Sequence, residues 1–191
     1  MKRVLTIISA FLLTFCFAAE VYAQTYWSGE KDGGPYSGVI ELTGDVTLKG
    51  RITIAQNTSL TIDLKGHTIT FTNDYDRVFL CDKGGELTIK DSSSGKTGVI
   101  TGGVGDRGGF CYLIGKFNFL GGTIKNAHAI SKRENGDNVE HYYTDGVGGA
   151  VYVQTEAKFI MDGGNIENCS AYGYTWSDDF GTYVNGEYHD D

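Results

Sequence analysis

The fold is decided by a stretch of eleven residues that occurs twice. Residues 116–126 read Lys-Phe-Asn-Phe-Leu-Gly-Gly-Thr-Ile-Lys-Asn, and residues 158–168 read Lys-Phe-Ile-Met-Asp-Gly-Gly-Asn-Ile-Glu-Asn, so the two align without a gap. A second match precedes each copy, between residues 108–113 and residues 148–153. In both copies the order is strand, short turn, strand, Gly-Gly, strand and then Asn. Self-similarity of this kind indicates a repeat architecture.

Two looser copies lie further upstream. If Leu60, Leu87, Phe117 and Phe159 are equivalent positions, successive units are 27, 30 and 42 residues apart. The last interval is long because residues 130–147 form a polar stretch that interrupts the pattern. The sequence therefore predicts a repeating unit of about 25–30 residues, which is within the range of stacked repeat proteins.

Apolar residues alternate with polar ones inside each unit, as at Leu60 and Ile62 or at Phe117 and Phe119. This period of two is typical of short strands with one buried face, and no long segment has helical periodicity. Three such strands per unit cannot close a core alone, but stacked units can. We therefore predict an all-β, right-handed parallel β-helix of four to five coils. The alternative is an antiparallel β-sandwich.

Glycine and asparagine are expected to form the corners between strands. Glycine adopts positive φ freely and asparagine tolerates it. Proline, which would interrupt the hydrogen-bond ladder, occurs once. An internal ladder of asparagine amides is the expected role of the two corner asparagines. The predicted structural turn residues are Gly121, Gly122, Asn126, Gly163, Gly164 and Asn168.

The first 23 residues have the features of a secretory signal peptide. Lys2 and Arg3 form a short basic start, residues 4–19 are almost wholly apolar, and Ala23 completes a cleavage site of small residues. The apolar run is shorter than the roughly 20 residues that a membrane-spanning helix needs. We therefore expect an exported protein, secreted or at the cell surface, without a transmembrane segment in the mature chain.

The rest of the chain divides into three predicted segments. Residues 24–44 are expected to form an N-terminal cap, and residues 45–172 the coils, with an inserted loop at 130–147. Residues 173–191 form an acidic, aromatic tail in which no returning strand is recognised. An open end of stacked strands exposes unpaired backbone groups. The tail is therefore expected to be either a cap or a loop within a longer protein.

Composition and cysteine usage exclude several classes of protein. The net charge is −8, which argues against nucleic-acid binding because phosphate contacts need Lys and Arg. Cys81, Cys111 and Cys169 remain after signal cleavage, and an odd number implies at least one free thiol or an intermolecular bridge. Buried thiols that pack as small apolar groups are the favoured interpretation. No pair of cysteines has metal-ligand spacing, so neither a metal nor another cofactor is expected.

The repeated segments resemble those of a known group of proteins. Residues 121–126 and 148–153 resemble the Gly-Gly-Thr-Ile and Gly-Gly-Val-Tyr-Val repeats of bacterial right-handed parallel β-helix surface proteins, and residues 60–69 are similar to their opening coil. These proteins belong to the pectin-lyase-like fold, which includes adhesin-like proteins of host-associated bacteria and many polysaccharide-degrading enzymes. The resemblance covers roughly residues 38–172 and implies a fold more than a function, because the matching residues are corner and core residues.

The motifs of the enzymes in this group are incomplete here. Polygalacturonase-like members resemble one another in Asn-Thr-Asp, Asp-Asp, Gly-His-Gly and Arg-Ile-Lys motifs. In this chain Thr68 follows Gly-His, and Thr53 follows Arg-Ile. The nearest approach to a calcium-dependent lyase centre, Asp74, Asp76 and Arg77, is interpreted as a solvated turn. No catalytic residue is therefore predicted.

Two aromatic and acidic stretches offer candidate binding residues. Aromatic rings stack on the apolar faces of sugars, although such rings also pack back on their own fold. The candidates are Tyr142, Tyr143, Asp145, Tyr174, Trp176, Asp178 and Asp179. The sequence thus predicts a non-catalytic, adhesin-like protein that contacts a polysaccharide or a host glycan. The alternatives are the N-terminal portion of a polysaccharide lyase or glycoside hydrolase with catalytic coils beyond the chain end, and a scaffold without a ligand.

Overall fold

The computed structural model describes residues 36–74, 76–130 and 146–172, together with the backbone of three further strands within residues 174–190. Every regular element among these residues is a β-strand. In chain order the strands are β1 (Gly38–Glu41), β2 (Val46–Leu48), β3 (Ile52–Ile54), β4 (Ser59–Asp63), β5 (Thr68–Phe71), β6 (Phe79–Cys81), β7 (Glu86–Lys90), β8 (Val99–Thr101), β9 (Val104–Gly105), β10 (Cys111–Leu113), β11 (Lys116–Phe119), β12 (Thr123–Lys125), β13 (His128–Ile130), β14 (Val151–Val153), β15 (Lys158–Met161), β16 (Asn165–Glu167), β17 (Ser170–Tyr172), β18 (Tyr174–Trp176), β19 (Gly181–Val184) and β20 (Glu187–Asp190).

Four of the five sheets contain only parallel strand pairs. Sheet 1 has the strand order β1-β4-β7-β11-β15, sheet 2 has β2-β5-β8-β12-β16, sheet 3 has β3-β6-β10-β14, and sheet 4 has β9-β13-β17. The chain visits sheets 1, 2 and 3 in the same cyclic order, and from β9 onward it visits sheet 4 between sheets 2 and 3. This arrangement is all-β and compatible with a parallel β-solenoid. Antiparallel pairing occurs only in sheet 5, β18-β19-β20, among the strands described.

The strand register confirms the predicted repeat. Leu60 pairs with Leu87, Leu87 with Phe117, and Phe117 with Phe159, so one position recurs across four strands of sheet 1. Cys111 likewise pairs with Val151, as the match between residues 108–113 and 148–153 predicts. Equivalent residues stack because the apolar side chains of successive units must share one interior.

The interior is filled by these stacked columns. Phe79, Phe110 and Phe117 are fully buried; the ring centroids of Phe79 and Phe110 are 5.1 Å apart, and those of Phe110 and Phe117 are 6.0 Å apart. Phe159 is the register partner of Phe117 and stacks on it, with ring centroids 5.1 Å apart. Burial of each large apolar side chain stabilises the fold by roughly 1.5–3 kcal/mol.

Two buried carboxylates hold the corner between sheets 1 and 2. Asp91 is 1% exposed and accepts hydrogen bonds from the backbone N–H groups of Gly66 (2.9 Å), Ser93 (3.0 Å) and Gly98 (2.6 Å). Burial opposes its ionisation, but these donors outweigh burial and hold the pKa of Asp91 below its ordinary value. Asp63 is equally buried and accepts from the N–H of Ser92 at 3.0 Å.

Three features differ from the sequence predictions. The later units carry a fourth strand, because β9, β13 and β17 follow the corner after sheet 2. The first strand, β1, lies inside the segment predicted to be a cap and pairs with β4. Residues 173–191, in which the sequence shows no returning strand, contain three antiparallel strands, β18, β19 and β20.

The asparagine corners form without an amide ladder. Asn126 and Asn168 have φ values of 56° and 50°, which is the left-handed region that asparagine tolerates. Both side chains are exposed, and the Asn126 amide donates to Thr101 Oγ1 at 3.0 Å. The left-handed backbone therefore makes the corner by itself. Of the paired glycines, Gly122 and Gly164 also have positive φ.

Candidate functional site

Two tyrosines stand in register on the outer face of sheet 3. Tyr112 of β10 pairs with Tyr152 of β14, and their ring centroids are 5.2 Å apart with an interplanar angle of 37°. Because side chains alternate along a strand, the flanking Cys111 and Leu113 point inward and are fully buried, whereas both tyrosines are half-buried. The pair is thus a two-ring aromatic surface held on a rigid sheet.

An arginine lies over each of these rings. The guanidinium carbon of Arg77 is 5.0 Å from the Tyr112 ring centroid, and that of Arg107 is 5.7 Å from the Tyr152 ring centroid. Distances below about 6 Å are favourable for a cation–π contact. The Arg–Tyr arrangement therefore repeats in successive units, as the core residues do.

Aspartates fix the arginine layer. Arg77 Nη2 donates to Asp106 Oδ1 at 2.5 Å, and Arg77 Nη1 donates to the carbonyl oxygen of Arg107 at 2.6 Å. Arg51 Nη1 reaches Asp76 Oδ1 at 3.0 Å. Burial works against the charge on Asp106, but the Arg77 guanidinium and the Arg107 N–H outweigh it, so the pKa of Asp106 lies below its ordinary value. The Asp106 carboxylate is therefore ionised at neutral pH, and it holds the arginine side chain that covers Tyr112.

A groove of about 510 Å³ lies beside the tyrosine pair, at the turns that lead from sheet 3 to sheet 1. Its origin is a difference in turn length. Four residues, 82–85, connect β6 to β7, and four residues, 154–157, connect β14 to β15, but only Ile114 and Gly115 connect β10 to β11. A short turn between two longer ones leaves a gap. The flanking turns are two strand spacings apart, roughly 9.6 Å between backbones.

The short turn is held close to its neighbour. A Cβ added to Gly115 would be 2.2 Å from the carbonyl oxygen of Gly85 and 2.5 Å from that of Asp82. The Lys116 N–H donates to the Gly85 oxygen at 2.9 Å, and the Lys158 N–H donates to the Gly115 oxygen at 3.0 Å. The backbone at this corner therefore has little space for a side chain at position 115.

The groove carries three lysines and two glutamates. Lys116 Nζ is 2.9 Å from Glu86 Oε1, and the Asn118 amide also donates to that oxygen, at 2.7 Å. The Lys116 and Asn118 hydrogen bonds lower the pKa of Glu86. Lys83 and Lys158 also line the groove and are exposed. Within the part of the chain that the structure describes, neither has an acidic side chain within ion-pair distance. The fifth charged group is Glu156.

One serine and one histidine meet on the outer face of sheet 4. His128 Nδ1 is 2.6 Å from Ser170 Oγ, and the Tyr172 ring centroid is 6.5 Å from that of His128. A serine–histidine pair needs a third group to orient the imidazole before it resembles a hydrolase triad. No carboxylate lies within ion-pair distance of His128 in residues 36–74, 76–130 and 146–172. The contact is a cross-strand pair in the sheet.

None of the sequence-predicted binding residues has a side chain that the structure describes. Tyr142, Tyr143, Asp145, Asp178 and Asp179 lie outside the described residues. Tyr174 and Trp176 are in β18, where only the backbone is described. The structure therefore neither brings these residues together nor separates them, and the loop-face hypothesis stays a prediction.

Sequence reasoning missed the residues that do meet, although their spacing carries a signal. Asp76-Arg77 and Asp106-Arg107 are the same dipeptide 30 residues apart, which equals the spacing of Leu87 and Phe117. In both dipeptides the aspartate Oδ1 accepts from the following arginine N–H at 2.9 Å. The repeat of this dipeptide can therefore be recognised in the sequence. The short turn was readable too, from the two residues that separate the strands on either side.

The three cysteines in the described part of the chain are free: Cys81 and Cys111 are buried, and Cys169 is half-buried. Across residues 36–74, 76–130 and 146–172, no three His, Cys, Asp or Glu side chains are grouped closely enough to hold a metal ion. The described part of the chain also contains no helix that is long and apolar enough to cross a membrane.

These observations define a class by structure: in its described part the chain is all-β, with four sheets of parallel strands and with an aromatic surface and a charged groove at one edge of sheet 3. Comparison with known proteins does not extend that description. No protein-family model matches the chain, and neither a curated protein nor a solved structure matches it significantly.

Proposed function

We propose that this chain is an exported, right-handed parallel β-helix protein of four to five coils that contacts glycans without cleaving them. The helical fold is supported by the fixed cyclic order in which the chain visits sheets 1, 2 and 3. Right-handedness is supported by the strong preference of parallel crossover connections for that hand. Export is supported by the signal-peptide pattern of residues 1–23.

The observation that carries the glycan proposal is the pair Tyr112 and Tyr152. Two parallel strands hold these rings side by side on an outer face, and a pyranose presents an apolar face that stacks on such rings. Amphipathic tyrosines combine apolar area with a hydroxyl group that can bond to sugar hydroxyls. Each arginine lies over one face of its ring, so a sugar would contact the part of the ring that the arginine leaves uncovered. The arginines also restrict the motion of the rings, so little ordering entropy is lost when a ligand binds.

The test is retention of the purified protein on an array of neutral gluco-, galacto- and manno-oligosaccharides. Tyr112→Ala and Tyr152→Ala should each lower affinity about tenfold, since a contact worth about 1.4 kcal/mol corresponds to that factor. Tyr172→Ala, a half-buried tyrosine of sheet 4, is the matched control and should leave retention unchanged. If neither tyrosine of the pair affects retention while Tyr142→Ala or Trp176→Ala does, the binding surface is the predicted loop face instead.

The same array tests the enzymatic alternative. After incubation with and without calcium, the oligosaccharides are examined for new reducing ends and for unsaturated products. Unchanged oligosaccharides agree with a binding protein. Cleavage products would show that the chain, or a longer protein of which it is a part, is a lyase or hydrolase.

A further inference from the structure

The groove beside the tyrosine pair has a charge arrangement that the stacking contact does not use. We infer that it is a subsite for a sulfate or phosphate ester on the glycan that Tyr112 and Tyr152 contact. This inference rests on the proposed glycan contact and adds the chemical class of the ligand. Its evidence is the position of the lysines, the type of cation and the distance from the rings.

The lysines are placed in mutual repulsion. Lys116 and Lys158 are directly opposite each other in the parallel register of β11 and β15, and like charges at opposed cross-strand positions destabilise a sheet. Glu86 compensates Lys116, but no acidic partner of Lys158 is found among the described residues. A local conflict of this kind is typical of functional sites. An anion bound between the lysines would relieve it.

The net negative charge of the chain means that anions are attracted to it only where lysines are grouped, as they are in the groove. The whole chain has a net charge of −8, so anions are not attracted to its surface in general. Lys83 reaches the groove from the turn on one side, and Lys158 from the strand on the other. Selectivity for an anion must therefore come from this local group of lysines.

The type of cation indicates the type of anion. A guanidinium has a planar fork that matches a carboxylate in two parallel hydrogen bonds, whereas an ammonium is a compact point charge. All cations that line the groove are lysines; Lys83 lies in a turn, whereas Lys116 and Lys158 begin neighbouring strands. Point charges from several directions suit a tetrahedral oxyanion better than a planar carboxylate. The ligand group is therefore an ester of sulfate or phosphate, not a uronate.

The groove lies within reach of a sugar stacked on the tyrosines. Ile114 and Gln154, which line the groove, follow Tyr112 and Tyr152 by two residues. Two residues of extended strand span about 6.6 Å. A glycan that lies along the strands can therefore stack one sugar on the rings while the ester of the same or the next sugar enters the groove.

The experiment compares matched ligands. Gluco-, galacto- and manno-oligosaccharides are presented in four forms that differ only at C6: hydroxyl, sulfate, phosphate and carboxylate. We expect the sulfated or phosphorylated form of one series to bind at least about tenfold more tightly than its neutral parent at low salt, and this advantage should shrink as salt screens the charges. The arms distinguish sulfate from phosphate.

Three variants test the groove itself, and a fourth serves as the control. Lys83→Gln and Lys158→Gln should each reduce the ester advantage about fivefold, the upper range for an exposed ion pair. Glu86→Gln frees Lys116 and should increase the advantage. Lys125→Gln, which removes a lysine from sheet 2, is the matched control. All four side chains lie at least partly in solvent, so the variants should fold.

The outcomes separate this inference from the proposed function. Binding of neutral forms without any gain for the esters overturns the groove assignment and leaves the tyrosine contact standing. An equal gain for the carboxylate form overturns the assignment of a tetrahedral group. If no oligosaccharide in any form is retained, the proposed function fails and the groove assignment fails with it.

Discussion

Replacement of Asp91 by asparagine tests whether buried carboxylates hold the corner between sheets 1 and 2. In the native chain Oδ2 accepts from the Gly98 N–H at 2.6 Å, and Oδ1 accepts from the Gly66 and Ser93 N–H groups. Asparagine retains one oxygen, so it can keep the two bonds to Oδ1. Its NH2 group then faces the buried Gly98 N–H, and two donors oppose each other.

The magnitude follows from this count of hydrogen bonds. Loss of an acceptor for a buried N–H costs about 1–3 kcal/mol, and a hydrogen bond to a neutral acceptor is about 1 kcal/mol weaker than one to a charged acceptor. One orphaned donor and two weakened bonds therefore predict a loss of about 3–5 kcal/mol in the free energy of unfolding. Urea unfolding at pH 7 with linear extrapolation gives the free energy of unfolding directly. Asp162→Asn, at an exposed aspartate of the same fold, should change it by less than about 0.5 kcal/mol.

The pH dependence of the free energy of unfolding provides a second test of the role of Asp91. The folded-state pKa of Asp91 is below its ordinary value of 3.8. Its ionised form therefore contributes stability that is fully present above about pH 4 and is lost as the pH falls through the folded-state pKa. In that acidic range the difference in the free energy of unfolding between the native chain and Asp91→Asn should become smaller. An Asp91→Asn protein as stable at pH 7 as the Asp162→Asn control would refute the reasoning.

Two further predictions concern close packing and thiol access. Gly109→Ala should destabilise the fold by at least about 2 kcal/mol, because the added Cβ would lie 2.4 Å from neighbouring backbone atoms; Gly44→Ala, where no atom lies within 4 Å of the new Cβ, should change stability by less than about 1 kcal/mol. Equal thermal midpoints for the two variants would contradict this. A thiol reagent at pH 8 should modify Cys169 before Cys81 and Cys111, because Cys169 is half-buried and the others are buried. Peptide mapping of the labelled sites checks the order, and early labelling of Cys111 would show that the core opens.

The repeat was predictable because it requires particular types of residue at particular positions. A buried column must contain apolar residues at every level, so Leu60, Leu87, Phe117 and Phe159 could be aligned before their pairing in the structure was known. The corners at Asn126 and Asn168 were predictable for a related reason, since few residue types tolerate positive φ. Both features restrict the sequence at one position, independently of its neighbours.

The candidate site was less predictable because it depends on relations between units. Strand β9 has two residues, Val104 and Gly105, too few for alternation to be recognised. Nothing in the sequence distinguishes the outward tyrosines from other tyrosines in strands. Tyr142 and Trp176, by contrast, occur in denser aromatic stretches, which is why the sequence predicts them as binding residues. The groove follows from a turn that is two residues shorter than the turns on either side of it, and this difference is recognised only when successive units are compared.

The constant register has a consequence for how this surface can change. The connection between β10 and β11 is two residues shorter than its neighbours, and the one between β13 and β14 spans residues 131–150, yet the strands on either side remain in step. The number of residues in a turn therefore does not affect the register of the strands that the turn connects. Residues can be added or deleted in the turns, which changes the contour of the exterior, while the buried residues of successive strands remain paired as before. Substitutions would change the chemistry of the exterior within a fixed contour, whereas insertions and deletions at the turns would change the contour itself.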